Sequence, residues 1–167
     1  HDFLWRVHAR TPAAGEIGVF NRSHYEDVVV VRVHGSVPEA VWHERYGQIR
    51  SFEELLGHSG TTVVKCFLHI SFDEQGKRLR RRLDDPERRW KAQPADFAER
   101  EKWSAYQKAY EEAIERTSTG PAPWYIVPAD HKWYRNWVIS QILIHTLEDM
   151  DPRYPDVEPL APPAGPD

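Results

Sequence analysis

Between Lys77 and Lys91 the chain places eight basic residues in fifteen: Lys77, Arg78, Arg80, Arg81, Arg82, Arg88, Arg89 and Lys91, opposed only by Asp84, Asp85 and Glu87. Arg78 and Arg82 are four apart, so on a helix they share one face and could grip successive phosphates of a polyanion. A solvated helix face would carry the same pattern. A second group, Asn21, Arg22 and Ser23, follows directly on the apolar run Ile17 to Phe20. In open α/β sheets ligands collect at the carboxyl ends of strands, so these three residues stand where a phosphate would bind. The alternative is that Asn21 and Ser23 only cap the next helix. The arrangement recurs after Trp124 to Val127, where Pro128, Ala129, Asp130, His131 and Lys132 are followed by Arg135. Two apolar runs thus end with a basic residue beside a polar one, and both endings suit an anion.

Other chemistries lack their residues. No GxSxG elbow is present, and the lone Cys66 has no catalytic context around it. One cysteine also excludes an intrachain disulfide and a multi-cysteine zinc site, which suits a reducing compartment, the cytoplasm. The nine histidines never fall into HxH, HxxH or HExxH spacing, so no histidine metal site is expected. No GxxxxGK[ST] or GxGxxG loop occurs either, although the basic helix and apolar runs would make sense around one.

The elements that must position these groups follow from the apolar pattern. The chain has 167 residues, 40% hydrophobic and 29% charged, enough for one folded domain with a core. The formal charge of −4 argues against a globally basic nucleic-acid binder while allowing a local basic patch. The four valines Val28 to Val31 are far short of the roughly 18 apolar residues of a membrane span. Strands are predicted at Ile17–Phe20, Thr61–Ile70 and Trp124–Val127, with helical segments between them. This alternation predicts a parallel α/β sheet. Helix starts are predicted from capping-box spacing at Ser51 with Glu54, Ser71 with Glu74, and Asp96 with Glu99. A helix over 96–116 would bury Trp103, Tyr106, Tyr110 and Ala113. One over 131–149 would lay Trp133, Tyr134, Trp137, Val138, Ile142 and Ile144 across the sheet. Gly76 weakens the basic helix by about 1 kcal/mol relative to alanine, which would suit an element that moves. Residues 151–167 hold six of the thirteen prolines and read as an irregular or disordered tail.

Four stretches, HDFLWRVHARTP, GEIGVFNRSHYEDVVVVRV, FLHISFDEQGKRLRRRLDDPERRWK and APWYIVPADHKWYRNWVIS, resemble the family-2 polyphosphate kinases in order across residues 1–150. The wording NRSHYED is most similar to members that phosphorylate AMP and ADP from polyphosphate. The resemblance implies a P-loop kinase fold: a parallel sheet with flanking helices and a helical lid over about residues 71–116. Its Walker A strand and loop would precede residue 1 and be missing from this chain. It further implies that Gly18–Ser23 is the Walker B strand and turn, with Asn21 and Arg22 catalytic and Arg22 on phosphates. Arg78, Arg82, Arg89 and Lys91 would hold polyphosphate and nucleotide from the lid, and Asp130, Lys132 and Arg135 would line the phosphate channel. Magnesium is the implied cofactor, its ligands unassigned: some members carry an aspartate where this chain has Asn21, a neutral and weaker cation ligand, with Glu26 and Asp27 nearby.

The function expected is transfer of a phosphoryl group between polyphosphate and AMP or ADP, with ATP among the nucleotides. Such a reaction needs positioning and cationic neutralisation more than covalent help, which suits an arginine-rich lid. The 167 residues alone are expected to be inactive without the glycine loop. A polyanion-binding module without catalysis and an ATP-using P-loop nucleotide kinase are the alternatives. The tryptophan-rich last helix could bury against a second copy or serve as core.

Overall fold

The computed structural model describes residues 1–158. Its core is helical. The four valines resist helix formation by their branching but enter α2 (Glu26–Val33), because Val28 and Val29 are buried completely against neighbouring helices. Those neighbours are α3 (Glu39–His58), contributing Trp42, Tyr46 and Ile49, and α6 (Trp103–Thr117), contributing Ala109 and Ala113. Small alanines on α6 let the helix axes approach closely, while Tyr106 and Tyr110 flank the contact. A single turn, α1 (Trp5–His8), precedes them.

A parallel two-stranded sheet leans on this helical core. Strand β1 (Lys65–His69) pairs with β2 (Trp124–Pro128) in the register Lys65 to Trp124 through His69 to Pro128. Strand β1 is shorter than the expected Thr61–Ile70. No strand forms at Ile17–Phe20, contrary to the sequence expectation. A strand exists only with a partner for its backbone, and residues 17–22 make no main-chain hydrogen bond among the described residues; Ile17 and Val19 are 77% and 88% exposed.

From β1 the chain enters α4 (Phe72–Asp84), capped as predicted: the Glu74 amide donates to Ser71 Oγ at 3.1 Å. A 3-10 turn (Arg89–Lys91) leads to α5 (Pro94–Glu101). The predicted start at Asp96 moves upstream, since Pro94 opens the helix and Asp96 reaches back to the Gln93 amide at 3.2 Å. The single helix expected over 96–116 is two, broken at Lys102. Ser51 and Glu54 lie inside α3 and start nothing, because Phe52 and Glu53 between them are already buried on the face that continues from Trp42.

Gly76 has a packing reason. A Cβ there would lie 2.9 Å from Arg100 Nη2, and Arg100 is the residue that fastens α5 to α4, donating to the Phe72 carbonyl at 2.6 Å and to Gln75 Oε1 at 2.9 Å. Helix α7 (Lys132–Met150) packs along β2, as expected of a helix on a sheet, yet none of its residues is buried; Trp133 is 71% exposed and Trp137 54%. Residues 151–158 have no regular structure, and the remainder of the proline-rich tail lies outside the described residues. Among the described residues no helix is long and apolar enough to cross a membrane.

Candidate functional site

Because β1 and β2 are parallel, both carboxyl ends open on the same side, and a helix leaves from each: α4 after Ser71 and α7 after His131. The two ends are tied together. The Ala129 amide donates to the His69 carbonyl at 2.8 Å, and the Ser71 amide donates to Asp130 Oδ1 at 2.7 Å. The bonds from the Ser71 amide and hydroxyl hold the Asp130 carboxyl below the usual carboxylate range.

Arg78 joins this knot. Its Nη2 donates to the carbonyls of Ala129 at 2.6 Å and Asp130 at 3.0 Å, and its Nε to Glu74 Oε1 at 2.8 Å. Arg78 and Asp130, both singled out in the sequence, are therefore brought together, with the guanidinium occupied by protein acceptors. Arg82, one turn along the same face, pairs with Asp96 of α5 at 3.1 Å. That shared face points inward to protein. The cations that α4 presents to solvent are Lys77, Arg80 and Arg81, none of which makes an ion pair among the described residues. Arg78 and Arg82 share one face as their spacing predicts, and both meet protein acceptors there.

The other predicted residues are spread out. Arg89 Nε donates to the Leu83 carbonyl at 2.8 Å, and Lys91 lies over the Trp90 ring at 4.9 Å; both sit in the exposed turn beyond α4. Lys132, exposed, and Arg135, half-buried, occupy the first turn of α7, at the carboxyl end of β2, where Arg135 donates to Asn136 Oδ1 at 2.7 Å. Asn21 and Arg22 stand in a separate turn and make no hydrogen bond or ion pair with the Arg78 and Asp130 group. Arg22 adopts φ 70°, 82% of its side chain is exposed, and its Nε lies 3.3 Å from Glu26 Oε1. Its charge is felt at Tyr110, whose phenol is pushed up by burial and by Glu26 and drawn down by Arg22.

The return from α5 to α6 is fastened to the core by a polar cluster that the sequence did not reveal. Glu99 accepts from Tyr106 Oη at 2.7 Å and Lys102 Nζ at 3.0 Å, and lies 3.0 Å from His34 Nε2 at the end of α2. The bonds from Tyr106 and Lys102 hold its carboxyl at about 2, His34 adding to them. Glu99, Lys102 and Tyr106 are three and seven residues apart, a helical spacing that a local reading could have joined, whereas His34 lies 65 residues from Glu99 and left no local signal.

The family described as Polyphosphate kinase 2 matches residues 1–155. An AMP/ADP-polyphosphate phosphotransferase of Meiothermus ruber is 56% identical over 157 residues, covering 94% of this chain and 59% of its own length. An ADP-polyphosphate phosphotransferase of Rhodopseudomonas palustris is 46% identical, covering 95% of this chain and 59% of its own. The crystal structure of Polyphosphate Kinase 2 from Arthrobacter aurescens TC1 superposes with a TM-score of 0.92 at 48% identity, over 96% of this chain and 57% of that one. The chain thus spans about three fifths of the length of these relatives.

Proposed function

The chain belongs to the polyphosphate kinase 2 family, and on that premise we propose that its protein moves a phosphoryl group between inorganic polyphosphate and AMP or ADP. The observation that carries this reading is the pair of helix amino ends at the carboxyl ends of the two strands, which favour anions, with the exposed Lys132 and the half-buried Arg135 on the first turn of α7. Lys77, Arg80 and Arg81 extend the positive surface along the outward face of α4 toward its carboxyl end. A linear chain of phosphates has the charge and the reach to span such a surface.

In this reading residues 71–116 act as the lid and Arg22 neutralises charge spreading over the transferred phosphoryl group. Arg82 changes partner from Asp96 to phosphate on binding. Arg78 keeps the lid's root on the sheet. The nucleotide and polyphosphate-holding roles of Arg89 and Lys91, and the channel role of Asp130, belong to the same proposal. A phosphate loop of the GxxxxGK[ST] kind would have to come from outside the 167 residues, which contain none. Among the described residues no group of three potential ligands gathers that could cage magnesium: Asn21 is neutral, Glu26 is paired with Arg22 and Asp27 with Arg45. We route no step through a protein-held ion and assign magnesium to the phosphates, which commonly supply much of its oxygen shell. Cytoplasmic action is the compartment proposed, consistent with the single half-buried Cys66.

The test is to supply the protein, at the full length of its relatives, with magnesium, polyphosphate and AMP or ADP, and to follow the nucleotide product. Product formed only when ATP replaces polyphosphate as donor would overturn the proposal. The 167 residues alone should bind polyphosphate with an affinity falling steeply as salt rises, by analogy with nucleic-acid phosphates. They should give no turnover, since losing even one preorganised charge donor costs on the order of 3 kcal/mol in barrier.

A further inference from the structure

We infer that Tyr25, Glu53 and Lys65 form a positioning network that holds the turn bearing Arg22. Among the described residues no main-chain hydrogen bond holds residues 17–22 from upstream, where Gly18 lies against Pro12. The turn's placement therefore depends on the segment downstream of it. Three residues on, Tyr25 is 5% exposed and its hydroxyl donates to Glu53 Oε1 at 2.7 Å. Lys65 Nζ donates to Glu53 Oε2 at 2.6 Å, to the Thr117 carbonyl at 2.8 Å and to the Tyr25 hydroxyl at 3.1 Å. The ammonium has three donors and all three are used. Between Arg22 and Tyr25, His24 packs against the rings of Tyr25 and Phe52, with Nε2 3.5 Å from Glu53 Oε1.

A buried ion pair is weak evidence for stability, because desolvating two charges offsets most of their attraction. What the paired groups Tyr25, Glu53 and Lys65 provide is one fixed arrangement, beside which both ring nitrogens of His24 are buried with no hydrogen-bond partner among the described residues. Burial alone would raise the Glu53 carboxyl, but the His24 ring beside it and the bonds from Lys65 and Tyr25 outweigh it and hold it below the ordinary range, while burial draws the Lys65 ammonium down. The elements joined are the Arg22 turn, α3 through Glu53, the first residue of β1 through Lys65, and the end of α6 through Thr117. Strand β1 is also the one that launches the basic helix. One ammonium therefore fixes the Arg22 turn relative to the strand that leads into α4, and no part of the phosphotransfer reading assigns it a role. The consequence for phosphate binding rests on the reading of Arg22 as a phosphate contact; the positioning itself does not.

The test separates the two. In the 167-residue chain the amides of Asn21, Arg22 and Ser23 should be ordered, with order parameters near the rigid value of about 0.85, and Tyr25→Phe should drop them below about 0.6 while α3 and α6 stay unchanged. Polyphosphate affinity at low salt should fall roughly fivefold in Tyr25→Phe, and adding Arg22→Ala should cost nothing further, as expected of residues acting through one another. Glu53→Gln, which keeps the shape, should loosen the same three amides. Low order in the unaltered chain overturns the positioning role. So does a Tyr25→Phe variant that melts earlier with the turn still rigid. Loosened amides with unchanged polyphosphate affinity uphold the positioning and remove Arg22 from the phosphate site.

Discussion

Replacing Gly76 with alanine sets two effects against each other. In a helix interior the change should add about 1 kcal/mol, since alanine loses less backbone entropy. Against that, the new methyl would lie 2.9 Å from Arg100 Nη2 and 3.1 Å from Cζ, so the guanidinium must move. Moving it weakens the bond to the Phe72 carbonyl and the stacking at 3.4 Å from the Phe72 ring centre. A charge-assisted hydrogen bond contributes about 1.5 kcal/mol, and a solvent-exposed cation–π contact about 0.5, so their complete loss is the upper bound on the cost. The guanidinium ends a flexible side chain that shifts cheaply, so the substitution should fall short of the full gain of about 1 kcal/mol at the junction of α4 and α5. With Arg100→Ala already in place nothing is left to displace, and the same substitution should stabilise α4 by about 1 kcal/mol. The cycle of four chains is read by urea unfolding and by hydrogen exchange of the α4 amides, which reports local opening that global melting would miss. An equal effect of Gly76→Ala in the two backgrounds would refute the clash with Arg100 as its cause.

Arg78→Ala should lower stability by about 2 kcal/mol, because the carbonyls of Ala129 and Asp130 lose their donor, whereas Arg82→Ala should change it by less than about 1. In the full-length enzyme Arg82→Ala should instead raise KM for polyphosphate and Arg22→Ala should lower kcat; equal melting losses in the two lid variants would contradict this division. The Glu99 carboxyl, at about 2 against a usual 4.5, stabilises the α5 to α6 return fully above pH 4.5, and this contribution is lost as pH falls from there toward 2. Glu99→Gln should therefore be less stable than the parent at pH 7 by chemical denaturation, with the gap closing below pH 4.5; a gap that widens there would refute the assignment.

What the sequence made legible was local. The Ser71 cap and the apolar run from Trp124 are decided within a few residues, and they stand where expected. Ile17–Phe20 failed because pairing is a property of two segments and only one was in view. The basic helix was found from composition, but which of its faces is free depended on Ala129, Asp130 and Asp96, the first two some fifty residues from Arg78 in the chain. Lys65 did leave a trace, a lone ammonium between Val64 and Cys66 in an apolar run, whose meaning required Glu53 and Tyr25.

The parallel ladder also bears on the order of assembly. Lys65 pairs with Trp124, so the first sheet contact closes a loop of 124 − 65 = 59 residues, an entropic cost of about 3.6 kcal/mol before any ladder energy is gained. The sheet asks for less once α6 has docked its alanines on α2, because that docking carries the chain to within a few residues of β2. Helix packing then nucleates and the sheet condenses onto it, so truncations at Val28 or Ile49 should slow folding while those at Phe67 or Ile126 chiefly hasten unfolding. A domain whose family resemblance suggests a sheet at its centre would, in this portion, be built from its helices inward.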